Sequence, residues 1–282
     1  MQDDTDFKEV DWLIAHRDDP HLCIVDARSV PHGGTVAMPS GREQYAAGHL
    51  PGAVHLDYGD DLSDPATPYA TRVSPPQAFA HVLGTHGIGD DAVVIAYDAG
   101  TIPFAARLVW MLRYYGHTEA FVLAGGIEAW RAAGMPLATD TPVLVPATFH
   151  AREVPALRAT RGEVQAIVAG TLDEQLLETQ RDQTYAQRDR DIPGAVRLSG
   201  NLLLEDARGG RIAERATLDH LVASAGLDPR KRTVVSCGSG VSASGAWLAL
   251  RAAGFNDVAV YDGSWMEWSH DGLPTVPKTP GS

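Results

Sequence analysis

A chain of 282 residues is long enough for two domains of ordinary size, and 44% hydrophobic with 21% charged residues is the balance of a globular protein. A formal charge of −13 excludes the basic face that general nucleic-acid or anionic-membrane binding needs. No apolar run reaches the roughly 18 residues of a membrane span, and two cysteines, Cys23 and Cys237, are too few for a disulfide framework.

The run Met1-Gln2-Asp3-Asp4-Thr5-Asp6 is acidic and lacks the basic and apolar regions of a signal peptide, so a cytoplasmic location is expected. In the first half, Cys23–Ala27, Val93–Tyr97 and Ala120–Leu123 read as buried strands, with Cys23 in a core role. Pro75–His86 and Pro103–Tyr115 read as helices, each with proline in its first turn. Between Thr139 and Pro155 the pairs Thr141-Pro142, Val145-Pro146 and Val154-Pro155 break any regular pattern. This is the expected joint, and Phe149-His150-Ala151-Arg152 within it is read as a short strand. In the second half, Asp173–Leu177, Thr233–Ser236 and Val258–Tyr261 read as strands. Helices are expected near Arg161–Ala169, Ala216–Ala225 and Ala243–Ala253. The tail Pro274–Ser282 is expected to fray or to wrap over the surface.

The two halves carry the same punctuation. Pro51-Gly52-Ala53-Val54 returns as Pro193-Gly194-Ala195-Val196, an offset of 142. Gly116, Gly125, Trp130 and Gly134-Met135-Pro136 return as Gly254, Gly263, Trp268 and Gly272-Leu273-Pro274, all at 138. Such agreement among Gly, Pro and Trp positions points to a duplicated domain with small loop insertions. Strand–helix alternation in each copy implies an α/β fold: a mostly parallel sheet with helices on both faces. The expected division is residues 1–140 and 156–282, with a linker at 141–155. Ligands of such sheets sit beyond the carboxyl ends of the strands.

Cys237 lies at such an end. Thr233-Val234-Val235-Ser236 runs into Cys237-Gly238-Ser239-Gly240-Val241-Ser242-Ala243, a small-residue loop that opens onto a helical pattern. Gly238 and Gly240 allow a tight curl. Loop N–H groups and the helix N-terminus should then form an anion cradle around one sulfur. The cradle is expected to favour thiolate, bringing the thiol from about 8.5 to roughly 3.5–7.5. At the matching place in the first half stands Asp98, read as a helix cap, so that half should be catalytically silent.

Cys237-Gly238-Ser239-Gly240-Val241-Ser242-Ala243 resembles the active-site loop of two-domain rhodanese-like sulfurtransferases, nearest the 3-mercaptopyruvate type. Gly48-His49-Leu50-Pro51-Gly52-Ala53 resembles the family's Gly-His-Ile-Pro-Gly-Ala signature. The resemblance covers nearly the whole chain and implies two tandem rhodanese-like domains, the second catalytic. It implies Cys237 as nucleophile and Ser239 as a catalytic loop residue, with Gly238, Gly240, Val241 and Ser242 cradling the substrate. His49 is weighed as a partner of Ser239 against a structural hydrogen-bonding role.

The chain departs from the family where relatives carry Asp-Ala-Arg in the second domain, because Leu177-Glu178-Thr179-Gln180-Arg181 has Gln180 at the arginine position. The triplet survives in the first domain as Asp26-Ala27-Arg28. Cations for the donor anion must then come from Arg181, Arg188 or Arg190, with Arg188 preferred. The implied cycle is covalent. Cys237 thiolate takes the outer sulfur of 3-mercaptopyruvate, or of thiosulfate in the alternative, and the persulfide passes to cyanide, a small thiol or thioredoxin. No metal or organic cofactor is required by this chemistry. Uncharged Gly238 and Ser239 after the cysteine favour the monocarboxylate over the dianionic thiosulfate. A persulfide relay with little activity on small donors is the other alternative. A Cys-x5-Arg phosphatase is excluded, because the sixth residue after Cys237 is Ala243.

Overall fold

The structure, a computed structural model, describes residues 6–30, 38–69, 71–101, 103–204 and 210–278. The chain forms two compact units. The first takes the chain to Ala66, Val73–Val154 and, from further on, Gly210 and Arg211. The second takes Thr67–Arg72, Pro155–Asp206 and the chain from Ile212.

The first unit runs β1 (Phe7–Lys8), α1 (Val10–His16), β2 (Leu22–Asp26), α2 (Gly41–Ala47), β3 (Val54–His55), α3 (Pro76–Thr85), β4 (Val93–Tyr97), α4 (Pro103–Tyr114), β5 (Ala120–Leu123) and α5 (Gly126–Ala132). Its sheet has the order β1-β5-β4-β2-β3, every pair parallel. Val94 to Tyr97 of the central β4 are all buried, as a strand covered on both faces requires.

The second unit runs β6 (Arg158–Ala159), α6 (Arg161–Val168), β7 (Gln175–Glu178), α7 (Asp182–Tyr185), β8 (Arg190–Asp191), β9 (Val196–Arg197), α8 (Arg215–Ser224), β10 (Thr233–Ser236), α9 (Val241–Ala252), β11 (Val258–Tyr261), α10 (Ser264–His270) and β12 (Val276–Pro277). Its main sheet has the order β6-β11-β10-β7-β9, again wholly parallel, so it reproduces the first strand for strand. The central strand β10 is fully buried. The helix that follows it, α9, buries Ala243 through Leu250 without a break, so it is enclosed on all sides.

The repeated Gly, Pro and Trp positions have a shared physical cause. Trp130 donates its indole N–H to Pro136 O at 2.8 Å, and Trp268 donates to Pro274 O at 2.8 Å. In each unit a core tryptophan thus fixes the chain leaving the last helix, with a glycine at positive φ between them, Gly134 or Gly272. Each tryptophan belongs to its own unit's core, beside Leu50 and Tyr97 in the first and Leu176 and Val234 in the second.

One expectation is corrected. Residues 149–152 form no strand. Instead the N–H groups of Arg152 and Val154 reach Tyr115 O and Tyr114 O at the end of α4, so isolated bonds replace a ladder. Of the two expectations for the tail, the described part follows wrapping over the surface: exposed β12 pairs antiparallel with β8. Residues 279–282 and 1–5 lie outside the described residues. Among the described residues no helix is long and apolar enough to cross a membrane.

Candidate active site

Register fixes the site. Strands β7 and β10 pair in parallel from Thr233 opposite Gln175 to Ser236 opposite Glu178, so Cys237 follows at the carboxyl edge beside Glu178. Gly240 then takes φ 82°, a left-handed turn that favours glycine, and α9 starts at Val241. The turn brings the Gly240 N–H onto Cys237 Sγ at 3.1 Å. The Cys237 N–H donates to Ser264 Oγ at 3.1 Å, and Ser264 Oγ donates on to Tyr261 O at 2.8 Å. Ser264 sits at φ 49°, alone among the described non-glycine residues in being left-handed. Its counterpart Gly126 has φ 54°. A buried serine held in a conformation that suits glycine, with its hydroxyl on the Cys237 backbone, is backbone strain stored beside the loop.

The sulfur is nearly enclosed, with Cys237 2% exposed. Burial first, and the Glu178 carboxylate second, push the Cys237 thiol up from its ordinary value. The N–H groups of Ala243, Ser239 and Gly240 pull it down by less. This corrects the expectation of a depressed thiol. The cradle forms as anticipated, but desolvation and a neighbouring carboxylate outweigh it in the resting protein.

Glu178 is 1% exposed and accepts the Gln180 N–H at 2.7 Å. Burial pushes its carboxyl up, and Arg188 opposes this. Arg188 pairs with Glu178 at 2.7 Å and with Asp191 at 2.5 Å. Its guanidinium lies over the Tyr185 ring at 4.7 Å and the Trp265 ring at 4.6 Å. Trp265 in turn donates its backbone N–H to Cys237 O, which places Arg188 next to the loop.

The other predicted residues divide. Ser239 and Gly238 are half-buried at the loop, while Val241 and Ser242 form the first turn of α9. Gly238 lacks a side chain where one would meet Gln180 Nε2 at 3.2 Å, so the Gln180 amide lies against the loop. Arg181 stands at the N-cap of α7. Arg190 points elsewhere: it is exposed and bonded to Thr275, which removes it from the candidates. His49 is buried in the first unit, donates from Nδ1 to Tyr45 O at 2.9 Å and stacks on the Tyr45 ring at 3.8 Å. Those contacts give it a packing role there.

Residues missed from sequence are Glu178, Ser264 and Arg197. Arg197 bonds Asp182 at 2.7 Å and lies over Tyr185 at 4.1 Å. Its signal was available, since it follows Pro193-Gly194-Ala195-Val196 directly.

The first unit shows what the same frame does without a thiol. Asp98 Oδ1 accepts the Thr101 N–H at 2.8 Å, and Oδ2 accepts those of Phe104 and Ala105 at 3.2 and 3.4 Å. The protein's own carboxylate thus fills the anion position at the start of α4.

A model of the rhodanese-like domain family matches residues 9–133 and again 160–271. The chain is 31% identical over 281 residues to a 3-mercaptopyruvate sulfurtransferase of Escherichia coli (strain K12), covering 96% of this chain and 98% of that protein. It is 31% identical to a thiosulfate sulfurtransferase of Corynebacterium glutamicum, covering 92% and 86% respectively. The crystal structure of SseA from Escherichia coli, described with the 3-mercaptopyruvate sulfotransferases, superposes with a TM-score of 0.84 at 30% identity. That superposition covers 93% of this chain and 99% of the other.

Proposed function

This chain belongs to the rhodanese-like domain family, and from that membership we propose that it is a sulfurtransferase working through a persulfide on Cys237, with 3-mercaptopyruvate as donor. The observation that carries the reading is the Gly240 N–H at 3.1 Å from Cys237 Sγ. In the first half-reaction Cys237 thiolate bonds to the donor sulfur, the carbon–sulfur bond breaks, and the electron pair leaves on carbon as the enolate of pyruvate. Proton uptake gives pyruvate. In the second, cyanide or a thiol bonds to the outer sulfur, and the sulfur–sulfur bond breaks to restore Cys237. The loop N–H groups stabilise the sulfur anions of both steps.

Donor choice rests on charge. Gly238 and Ser239 add no cation beside the sulfur, and Gln180 presents a neutral amide there. Arg188 is the residue assigned to the donor carboxylate. Its Nη2 is committed to Glu178 and Asp191, but its buried Nε and Nη1 carry no hydrogen-bond partner among the described residues. Arg181 and Ser239 complete the proposed contacts. Thiosulfate is the second reading, favoured by three cations around Tyr185: Arg188, Arg197 and Lys278. Their charge is already offset by Glu178, Asp191 and Asp182, which leaves little for a dianion. A free nucleophilic thiol suits a reducing compartment, which supports a cytoplasmic location and a thiol or thioredoxin acceptor.

The test is kcat/KM with each donor and cyanide as acceptor, for the native chain and for Cys237→Ser. The reading expects preference for 3-mercaptopyruvate and no turnover by the serine variant. Preference for thiosulfate overturns the donor assignment. Negligible rates with both leave a persulfide relay fed by another protein.

A further inference from the structure

The loop presents three successive carbonyls, and each is tied down by a donor. Cys237 O accepts the Trp265 N–H at 3.0 Å, and Gly238 O accepts the Met266 N–H at 2.9 Å. Both donors belong to the first turn of α10. Ser239 O accepts the hydroxyl of Thr71 at 2.6 Å, from a residue 168 positions earlier in the chain.

Thr71 lies in Thr67–Arg72, a segment of the first half of the sequence that groups with the second compact unit. The segment is anchored on both sides of Thr71. Tyr69 donates its hydroxyl to Asp271 Oδ1 at 2.6 Å, and Arg72 pairs with Glu267 at 3.0 Å. Glu267 is in α10, Asp271 caps it, and Arg161 holds Asp271 as well. The Tyr69 hydroxyl and His270 hold the Asp271 carboxyl at about 2, so this anchor stays charged through the working range. Thr71 itself is 2% exposed, which keeps water from competing for its hydroxyl.

The consequence follows from peptide planarity. Fixing the carbonyl of one residue also fixes the N–H of the next, which points to the opposite side. Holding Cys237 O and Gly238 O therefore orients the N–H groups of Gly238 and Ser239. Holding Ser239 O orients the N–H of Gly240, the group in contact with the sulfur. We infer that Thr71 is a positioning residue for the sulfur cradle, aiming the Gly240 N–H at Cys237 by holding the Ser239–Gly240 peptide plane. The kinetic consequence rests on the sulfurtransferase reading; the effect on the thiol does not.

The test uses the full chain with Thr71→Val, which keeps shape and loses the donor, Thr71→Ser, which restores it, and Tyr69→Phe, which loosens one anchor. Iodoacetamide alkylation of Cys237 is followed against pH, with peptide masses separating it from Cys23, alongside kcat/KM. Thr71→Val is expected to move the alkylation profile to higher pH and to lower kcat/KM roughly 10- to 100-fold, the scale of a small misplacement at a reacting centre. Thr71→Ser should match the native chain, and Tyr69→Phe should shift the profile less in the same direction. A folded Thr71→Val with the native profile overturns the inference, as does failure of Thr71→Ser to restore it. If Thr71→Val does not fold, a native profile in Tyr69→Phe overturns it. If the native chain turns over no donor, the sulfurtransferase reading fails while the alkylation profiles still decide the role of Thr71.

Discussion

Asp98 and Cys237 stand at the same point of the same frame, and each side chain accepts N–H from the turn or first helical residues that follow it. Asp98 takes those of Thr101, Phe104 and Ala105, and thereby fills the anion position with its own carboxylate. Cys237 takes the Gly240 N–H on sulfur and puts a thiol where the first copy has a carboxylate. One frame is closed by a fixed negative group, and on the proposed function the other holds a transient one. On the proposed function the first copy is a scaffold and the second the working copy, and Asp98 against Cys237 is the difference at the centre of the frame.

Removing that fixed group should cost stability without touching catalysis. Asp98 is 2% exposed, so Asp98→Ala strands buried N–H groups. The expected loss is about 1–3 kcal/mol in denaturant unfolding. kcat/KM of the folded variant should equal that of the native chain. A fall in kcat/KM with unchanged stability would contradict the scaffold role.

Glu178 raises the Cys237 thiol through its charge, after burial. In Glu178→Gln the thiolate becomes easier to form, and the pH profile of Cys237 alkylation should move downward. The sign is set by charge alone: removing a neighbouring anion favours the anionic form of the sulfur. In the native chain, alkylation should still be rising at the ordinary thiol value of about 8.5. A native profile already flat at neutral pH would show that the cradle dominates.

Ser264 separates backbone strain from hydrogen bonding. Glycine accepts φ 49° without strain, so Ser264→Gly should keep or raise stability by relieving it, yet lose the acceptor for the Cys237 N–H. The expected result is a native-like melting temperature with kcat reduced about tenfold or more. Ser264→Ala keeps the strain and loses both hydroxyl bonds, and should be less stable by about 1–3 kcal/mol. Equal kcat in Ser264→Gly and the native chain would reduce Ser264 to a turn residue.

Much of this was legible in the sequence because it is carried by local pattern. Apolar runs located β4 and β10, prolines marked α3 and α4, and the Trp–Gly–Pro spacing exposed the duplication. The Cys237 loop was readable because Gly240 and the helix start lie within a few residues of the thiol. What was not legible depends on distant parts of the chain. The first unit pairs Asp26 with Arg28, two residues away, in a buried ion pair. The second meets the same need for Glu178 with Arg188, ten residues away, and no spacing rule finds that substitution. Ser264 looked like one small residue beside aromatics, since only its left-handed backbone reveals its role. Thr71 could not be found at all without the fold. The direction of the Cys237 shift is not legible in the sequence, because loop composition reports donors but not burial, and burial outweighs them.

The most direct test of the central claim is intact and peptide mass analysis after incubation with 3-mercaptopyruvate in the absence of acceptor. The account predicts a gain of one sulfur atom per chain, located on the Cys237 peptide, released by cyanide and absent in Cys237→Ser. Sulfur on the Cys23 peptide, or pyruvate released with no sulfur on Cys237, would contradict it.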